Sequence, residues 1–291
     1  MILVTGATGN NGVELIKELY ARRATVRAVV RKRAGARAIA LPGVELVEAD
    51  FDRPATFAAA LKGVDRLFLL MPSSSKVEEQ QMRFVDAARH SGVKHIVKLS
   101  QFGAALNSAG RFQHYHAVVE DHIRESGLAY TFLRPNLFMQ GLLNFRSTIS
   151  SQGIFFAAAG TAKVSAVDVR DIAAVAAAAL TESGHEGETY EITGPEALSH
   201  EEMAEMLAEA TRMTIKYVDV PPAVLLRALL DLGMPDWQAA GLVEEYGIYR
   251  SGGASEVTNT ILEVTGAAPR SFAIFAQDYS EAFHAKVVGA V

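Results

Sequence analysis

The sequence contains no cysteine, and its 33 Asp and Glu residues outnumber its 28 Lys and Arg residues. Without cysteine, neither a disulfide nor a thiolate metal site can form, and the chain fits a reducing compartment. Proteins that bind nucleic acid usually carry a basic surplus. The charge balance therefore argues against direct binding of nucleic acid.

Long apolar segments are also missing. The apolar run at the start of the chain ends at Gly6, too early for a signal peptide. The longest apolar run elsewhere, from Ile172 to Leu180, has about half the length that a membrane-spanning helix requires. We therefore expect a cytoplasmic protein without membrane attachment.

The sequence does contain an alternation of short apolar strands and helix-length segments. The predicted strands cover residues 1–4, 25–30, 44–50, 65–72, 95–100, 129–135 and 188–193. One predicted helix follows the first strand, and the others cover 56–61, 77–90, 113–125 and 167–182. Strands separated by helices pair in parallel, with helices on both faces of the sheet. The pattern predicts an α/β fold with a Rossmann-type, doubly wound parallel sheet.

After Gly194 the pattern changes to helices. Ser199 precedes Glu202 by three residues, a capping box that starts a helix, and further helices are predicted near 223–230 and 237–246. We predict a Rossmann domain over residues 1–155, to which 160–194 returns. A smaller, mainly helical lobe is predicted over 195–291.

Three glycines, Gly6, Gly9 and Gly12, lie between the first strand and the helix that follows it. The first amides of such a helix have no partner within the helix, and its dipole is positive at that end, so phosphate binds there. Gly6 permits a tight turn, Gly9 lets a pyrophosphate approach, and Gly12 lets the helix pack closely on the strand. The predicted dinucleotide contacts in this turn are Gly6, Thr8, Gly9, Asn10, Asn11 and Gly12. A glycine-rich turn without a ligand is the alternative; no Gly-Lys-Ser/Thr closes the turn, which disfavours a nucleoside triphosphate site.

The second strand is followed by Arg31, Lys32 and Arg33. A dinucleotide that lacks a 2'-phosphate is usually met at this point by an acidic residue, which binds the ribose hydroxyl. Three cations suit a dianionic phosphate instead. We therefore expect NADP(H) to be preferred over NAD(H), with Arg31 and Lys32 as contacts. A solvated basic loop is the alternative.

Two further strand ends complete the predicted cofactor site. Asp50 and Phe51 follow the third strand, where an acid and an aromatic ring could meet the adenine. Met71 and Pro72 end the fourth strand, where a backbone without bulky polar groups can line the cofactor. Both assignments depend on the Rossmann fold, because each pair alone would be an ordinary loop at the end of a strand.

The order of six segments resembles the NmrA-like branch of the atypical short-chain dehydrogenase/reductases. These segments are VTGATGNNG, EADFDRP, GVKHIVKLS, SGLAYTFLRPNLFMQ, VDVRDIA and YEITGPEALS. The likeness runs from Met1 to about Ser280 and is greatest to bacterial NADPH-dependent reductases of quinones, azo dyes and triphenylmethane dyes. The sequence also resembles proteins described as sugar-nucleotide epimerases. The resemblance implies that the C-terminal lobe helps to bind substrate in a cleft beside the Rossmann domain.

The resemblance also implies roles for residues near the nicotinamide. Ser100 matches the family's serine, which would bond the substrate or the nicotinamide amide; the alternative is a serine that satisfies the end of a strand. Residues 135–139 match the family segment that runs under the nicotinamide, and Pro135, Asn136 and Phe138 among them are the expected cofactor contacts. These residues extend the predicted cofactor site to the end of the sixth strand.

The usual short-chain dehydrogenases protonate a carbonyl oxygen with a tyrosine whose pKa is lowered by a lysine four residues later. Here Val119 stands four residues after Tyr115, and no lysine lies within 113–125. Reduction of a simple ketone needs that proton, whereas hydride addition to a quinone or a dye gives a product stabilised by conjugation. We therefore expect a small aromatic or quinonoid acceptor, and Ser100, His114 and Tyr115 are the candidate catalytic residues.

Two other groups of residues have both a functional and an ordinary interpretation. His116 and Glu120 share one helix face at i and i+4, and we expect a hydrogen-bonded surface pair there rather than a metal site, because spacing suggests no third ligand. Five apolar side chains would either line an aromatic substrate or pack in the core. They are Phe138, Met139, Phe145, Phe155 and Phe156.

The predicted function is hydride transfer from NADPH to a conjugated acceptor, carried out by a monomer or a homodimer without a metal. A non-catalytic NADP(H) sensor that regulates a partner protein is the alternative, a role known for other NmrA-like proteins. A nucleotide-sugar epimerase fits less well. Its alcohol oxidation needs the base that is missing here, and the cations at Arg31 argue against the NAD that it would retain.

Overall fold

The computed structural model describes residues 1–284 of the chain. The strands in this range are β1 (Ile2–Val4), β2 (Val26–Val30), β3 (Glu45–Glu48), β4 (Arg66–Leu69), β5 (His95–Leu99), β6 (Ala129–Pro135), β7 (Ile154–Ala157), β8 (Lys163–Val164), β9 (Thr189–Ile192), β10 (Leu198–Ser199) and β11 (Lys216–Asp219). The α-helices are α1 (Asn10–Ala21), α2 (Phe57–Leu61), α3 (Val77–His90), α4 (Arg111–Glu125), α5 (Arg146–Gln152), α6 (Val169–Thr181), α7 (His200–Thr211), α8 (Pro222–Asp231), α9 (Asp236–Arg250), α10 (Thr260–Thr265), α11 (Phe272–Asp278) and α12 (Ser280–His284).

The chain forms two compact units. The first contains Met1–Pro135 and Val169–Glu191, and the second contains Asn136–Asp168 and the described part of Ile192–Val291. This division differs from the predicted boundaries at 155 and 194. The chain leaves the first unit after β6 because β7, which contains residue 155, pairs with β11 in the second unit.

The first unit is built on a seven-stranded sheet in the order β3-β2-β1-β4-β5-β6-β9. The pairs β2–β3, β1–β2, β1–β4, β4–β5 and β5–β6 are all parallel. The reversal of strand order beside β1 brings the carboxyl ends of β1 and β4 next to each other, which is where ligands bind in doubly wound sheets. The predicted Rossmann-type fold is confirmed.

Three strands of the sheet are buried along their whole length because helices cover both faces of the sheet. Every residue of β1, β2 and β5 is buried, whereas β3 at the sheet edge exposes Glu45 and Glu48. Helix α1 buries Leu15, Ile16 and Leu19 and packs against α6. The alanine-rich buried face of α6 allows this close helix packing.

The second unit is mainly helical, as predicted, but it also contains two small sheets that the sequence did not indicate. Strands β7 and β11 pair in parallel, and β8 and β10 pair antiparallel. The helices predicted near 223–230 and 237–246 are α8 and α9. Within residues 1–284, no helix is both long enough and apolar enough to cross a membrane.

The predicted capping box at the start of α7 is present. Ser199 Oγ accepts a hydrogen bond from Glu202 N at 3.2 Å, and Glu202 Oε2 accepts one from Ser199 N at 2.7 Å. Substitution Ser199→Ala should therefore lower the free energy of unfolding by about 1 kcal/mol, measured by urea denaturation. Ser199→Thr keeps the cap and should stay close to the parent. Equal stability of the alanine variant and the parent would contradict this assignment.

Candidate functional site

The glycine turn between β1 and α1 leaves almost no space for a side chain at two of its three glycines. Gly6 has a positive φ of 62°, which favours glycine. A Cβ atom placed on Gly12 would lie 2.3 Å from Gly6 O, so only glycine fits there. A Cβ atom on Gly9 would meet Gly6 O at 3.4 Å, an ordinary contact. Gly12 therefore sets the packing of α1 on the turn, whereas Gly9 is exposed and has room for a Cβ atom.

The first turn of α1 is suited to an anion. Its N-cap is Gly9, so no side chain caps the helix, and the first amides of a helix have no partner within it. Asn11 in this turn is 6% exposed, and its Oδ1 has no hydrogen-bond partner among the described residues. A buried amide oxygen without a donor is costly. A dinucleotide, whose riboses carry hydroxyl donors, fits both features.

Thr5 ties the end of β4 to this turn. Its Oγ1 donates to Leu70 O at 2.9 Å and accepts from Leu70 N at 2.8 Å. The next residue, Met71, is buried, and Pro72 is exposed. The structure thus brings the predicted contacts Met71 and Pro72 to the same edge of the sheet as the glycine turn.

The three basic residues after β2 differ in their contacts. Arg33 is held by β3, because its Nη2 donates to Leu46 O at 3.0 Å and its N to Glu48 Oε1 at 3.2 Å. Arg31 and Lys32 are exposed. These two cations are therefore better placed than Arg33 to meet a phosphate.

Asp50 and Phe51 both have partners within their own loop. Asp50 accepts hydrogen bonds from Asp52 N and from Arg53 Nε, each at 3.0 Å. The Asp52 amide above all, and Arg53 in addition, lower the pKa of Asp50. Phe51 packs edge-on against Phe84 with ring centroids 5.1 Å apart. Asp50 is thus an ionised carboxylate and Phe51 part of an aromatic cluster, and their contact with adenine stays a prediction.

Helix α4 turns a polar face toward the sheet. His116 is 8% exposed and Glu120 is fully buried, so the expected surface pair is wrong. The error arises because helical spacing shows that two residues share a face but not which face packs on the sheet. His116 Nδ1 lies 2.6 Å from Lys98 Nζ on β5, and Glu120 bonds to Ser100 and Arg134 instead.

A network of polar and charged groups surrounds the buried Glu120. Arg134 on β6 donates to both of its carboxylate oxygens, at 3.0 and 2.6 Å, and also to Glu191 at 3.1 Å. These hydrogen bonds, led by the one to Glu120, raise the pKa of Arg134, and burial raises the pKa of Glu191. Ser100 Oγ donates to Glu120 at 2.5 Å. Since this bond uses the Ser100 hydrogen, Ser100 can offer a ligand only its lone pairs.

Lys98 was not among the predicted site residues, although it lies beside them. Its side chain is fully buried, and burial lowers its pKa to about 7, an effect that Glu120 opposes and Arg134 reinforces. Burial, followed by the nearby Lys98, holds the pKa of His116 well below its ordinary value. The sequence does contain one sign of this burial, because Lys98 stands within an otherwise apolar strand. A lysine that is buried in such a strand needs a specific partner.

The two other candidate catalytic residues differ in exposure. Tyr115 is 3% exposed, and its hydroxyl lies 3.2 Å from Ser73 Oγ, just beyond β4. His114 is exposed, and its Nδ1 lies 2.8 Å from Leu106 O in the loop before α4. The structure therefore places Tyr115, and not His114, beside the carboxyl end of β4.

The segment after β6 passes into the second unit. Pro135 is the last residue of β6, and its O accepts from Phe102 N at 3.0 Å. The side chain of Asn136 donates to Ser165 Oγ and Ala254 O, both at 2.8 Å. Phe138 forms a backbone bridge with Val167. Contacts of these residues with a cofactor stay a prediction.

The five apolar residues divide between core and partly buried positions. Phe155 is fully buried and packs against Phe145 and Tyr217, with ring centroids 6.1 and 5.7 Å away. Met139 is 2% exposed and belongs to the same core. Phe138, Phe145 and Phe156 are partly buried. Phe145 packs against the same core, and Phe156 packs against a second core cluster. Phe155 and Met139 therefore have an ordinary packing role.

Comparison with known proteins gives a consistent set of relatives. Residues 1–268 match the profile of the NmrA-like family. The NAD(P)H azoreductase of Xenophilus azovorans is 37% identical over 98% of this chain and 100% of its own length. The structure of the Escherichia coli NADPH-dependent quinone oxidoreductase with NADPH has a TM-score of 0.86 at 30% identity, covering 96% and 99% of the two chains. The Citrobacter sp. triphenylmethane reductase with NADP(H) has a TM-score of 0.84 at 28% identity, covering 96% and 100%.

The packing role of Gly12 and the proposed binding role of Gly9 can be distinguished experimentally. Gly12→Ala forces a Cβ against Gly6 O and should lower the free energy of unfolding by about 1 to 3 kcal/mol. Gly9 has φ −83° and ψ 172°, which alanine adopts readily, so Gly9→Ala should fold like the parent. It should nevertheless weaken NADPH binding by about 1.5 kcal/mol or more, measured by calorimetry. Unchanged NADPH binding by Gly9→Ala would exclude a phosphate at this turn.

Proposed function

Because the chain belongs to the NmrA-like family, we propose that it is an NADPH-dependent reductase that transfers hydride to a flat conjugated acceptor such as a quinone or a dye. The observation that carries the proposal is the exposed Gly9 at the uncapped start of α1, together with the exposed Arg31 and Lys32 after the neighbouring strand. The azo, quinone and triphenylmethane reductases among its relatives support the class of acceptor.

NADP(H) is the cofactor, and the residues present fit it. The first amides of α1 would hold the diphosphate, and Arg31 and Lys32 would hold the 2'-phosphate. The buried oxygen of Asn11 would accept a hydrogen bond from the cofactor. When bound, NADPH supplies the hydride from its nicotinamide ring.

The surroundings of Tyr115 support a conjugated acceptor over a simple ketone. Val119 stands where a tyrosine-based acid would need its lysine, and the Tyr115 hydroxyl is bonded to Ser73. A simple ketone would become an alkoxide and require a strong proton donor. A quinone or cationic dye gains electrons into a conjugated system, so that positioning contributes more than proton transfer.

The decisive experiment follows NADPH absorbance with a panel of quinones, azo dyes and triphenylmethane dyes. Turnover with at least one acceptor supports the reductase. Tight NADPH binding without turnover on any acceptor would instead support a non-catalytic sensor of the NmrA type. Purification with tightly held NAD would point to an epimerase.

Cofactor selectivity should depend on Arg31. Arg31→Ala should weaken NADPH binding by about 1.5 to 3 kcal/mol, the range for a hydrogen bond to a charged group, and leave NADH binding nearly unchanged. Arg33→Ala is the matched control, because Arg33 is bonded to β3, and it should change the ratio of the two affinities little. Calorimetric titration of each variant with both dinucleotides measures the difference. Equal losses for NADPH and NADH in Arg31→Ala would contradict the assignment of the 2'-phosphate.

Loss of the Tyr115 hydroxyl should have a limited effect. Tyr115→Phe keeps the ring and removes the hydroxyl that lies 3.2 Å from Ser73 Oγ, and quinone reduction should stay within about tenfold of the parent. Stopped-flow measurement of NADPH oxidation gives the rate directly. A fall of several hundredfold would identify Tyr115 as the proton donor and refute this part of the proposal.

A further inference from the structure

Lys98 is a fully buried amine without a role in the function described so far. It lies on β5, two residues before Ser100, and its Nζ is 2.6 Å from His116 Nδ1 and 3.3 Å from Leu99 O. Burial of an amine is costly unless its hydrogen atoms are bonded. The short contact with His116 is therefore the main interaction that holds Lys98 in place.

This contact defines the protonation of His116. When Lys98 is an ammonium group it has only donors, so that His116 Nδ1 accepts and the ring proton resides on Nε2. Burial, with Lys98 as a further cause, keeps the imidazole neutral at ordinary pH. His116 is thus held as a neutral ring whose single N–H group is at Nε2.

The groups around Lys98 allow its ammonium form. Glu120 on α4 is negative and favours it, whereas Arg134 on β6 is positive and is paired with Glu120. On the neighbouring strand β4, the residue in register with Lys98 is the apolar Leu69. Lys98 is ammonium below a pH of about 7 and loses that proton as the pH rises further.

The Lys98–His116 pair adjoins the edge of the sheet at which the glycine turn lies. The rings of His116 and Tyr115 are 4.1 Å apart between centroids, and the Tyr115 hydroxyl reaches Ser73 beyond the end of β4. Ser100 marks the end of β5 on the same side as Lys98, because residues two apart in a strand point to the same face. The pair is thus adjacent to Tyr115, the candidate catalytic residue whose hydroxyl lies at the carboxyl end of β4.

We propose that Lys98 is a positioning residue that holds His116 in the Nε2–H form, and that this N–H donates a hydrogen bond to the oxygen of a quinone as it is reduced. The inference rests on the proposed function. Hydride addition places two electrons on the quinone and leaves one oxygen anionic. His116 stabilises that oxygen without giving up its proton, and a proton from solvent completes the hydroquinone.

The protonation of His116 can be measured without any reaction. In protein labelled with ¹⁵N at histidine, long-range ¹H–¹⁵N spectra distinguish the two neutral forms of the ring, and His116→Gln assigns the signal. We expect the Nε2–H form at pH 6. His122→Gln is the matched control, since His122 lies on α4 but bonds to Asp86 at 2.9 Å, and it should leave the His116 signal unchanged. A His116 ring in the Nδ1–H form, or one that titrates near pH 6.5, would overturn the proposal.

The proposal that Lys98 acts through His116 is tested by a double-mutant cycle, in which kcat is measured with a quinone. His116→Phe should lower kcat by about 100-fold, the usual effect of removing a donor to a developing oxyanion. Lys98→Met should lower it too, and the double variant should be no slower than His116→Phe alone. Additive losses, or full activity of His116→Phe, would refute the proposal. Calorimetric NADPH affinity should stay within about threefold in each variant that folds.

The two experiments separate failure of this proposal from failure of the proposed function. If the parent binds NADPH but reduces no acceptor, the reductase assignment fails, and the donor role of His116 toward a quinone fails with it. The nitrogen spectra then still report whether Lys98 holds the ring. If the parent reduces quinones but His116 is in the other form, only the present inference is overturned. Should Lys98→Met fail to fold, the spectra of the parent protein decide.

Discussion

The close approach of α1 to the turn after β1 is the constraint on which the rest of the first unit depends. With no space for a Cβ atom at Gly12, the helix begins immediately beside the strand, and its unpaired amides lie at the carboxyl edge of the sheet. Thr5 joins that edge to the end of β4 through its hydrogen bonds with Leu70. The end of α1 that is proposed to bind an anion and the strand ends that would line a dinucleotide are therefore fixed by the same few contacts.

A second constraint holds α4 against the sheet. Glu120 is buried, and such a carboxylate is stable only when its partners replace the lost water, which Arg134 and Ser100 do. Removal of one partner would leave an uncompensated charge in the core. The network thereby fixes the position of α4, and with it the contact between Lys98 and His116 and the placement of Tyr115 beside β4. The reduction proposed for the acceptor therefore depends on side chains that this polar network positions, and not on a proton-donating acid within α4.

Local patterns in the sequence were sufficient for most elements of the first unit. The helix predicted over 77–90 is α3 as observed, and the capping box of α7 is present, because both depend on spacing within one segment. Strand β7 escaped prediction because it has four residues and its partner β11 lies some sixty positions later. The division of the chain after β6 differs from the predicted boundary for the same reason. Pairing between distant short segments leaves no local signal.

The candidate site shows the same difference between features that depend on neighbouring residues in the sequence and features that depend on contacts between separate elements. The glycine turn and the basic segment after β2 could be identified from residue type and order. What the sequence could not show is that Arg33 bonds back to β3, and that Lys98 reaches across from β5 to a histidine on α4. Both are contacts between side chains and separate elements. His116 and Glu120 were correctly placed on one helix face, yet their partners depend on which face packs on the sheet.

Helix α1 and the cations after β2 are proposed to bind together a dinucleotide that carries a 2'-phosphate. Isothermal titration calorimetry of the unmodified protein with NADPH and with NADH tests this assignment. We expect both to bind, and NADPH to bind more tightly by about tenfold or more because of at least one additional charged hydrogen bond. Absence of binding heat with either dinucleotide at millimolar concentration would contradict it.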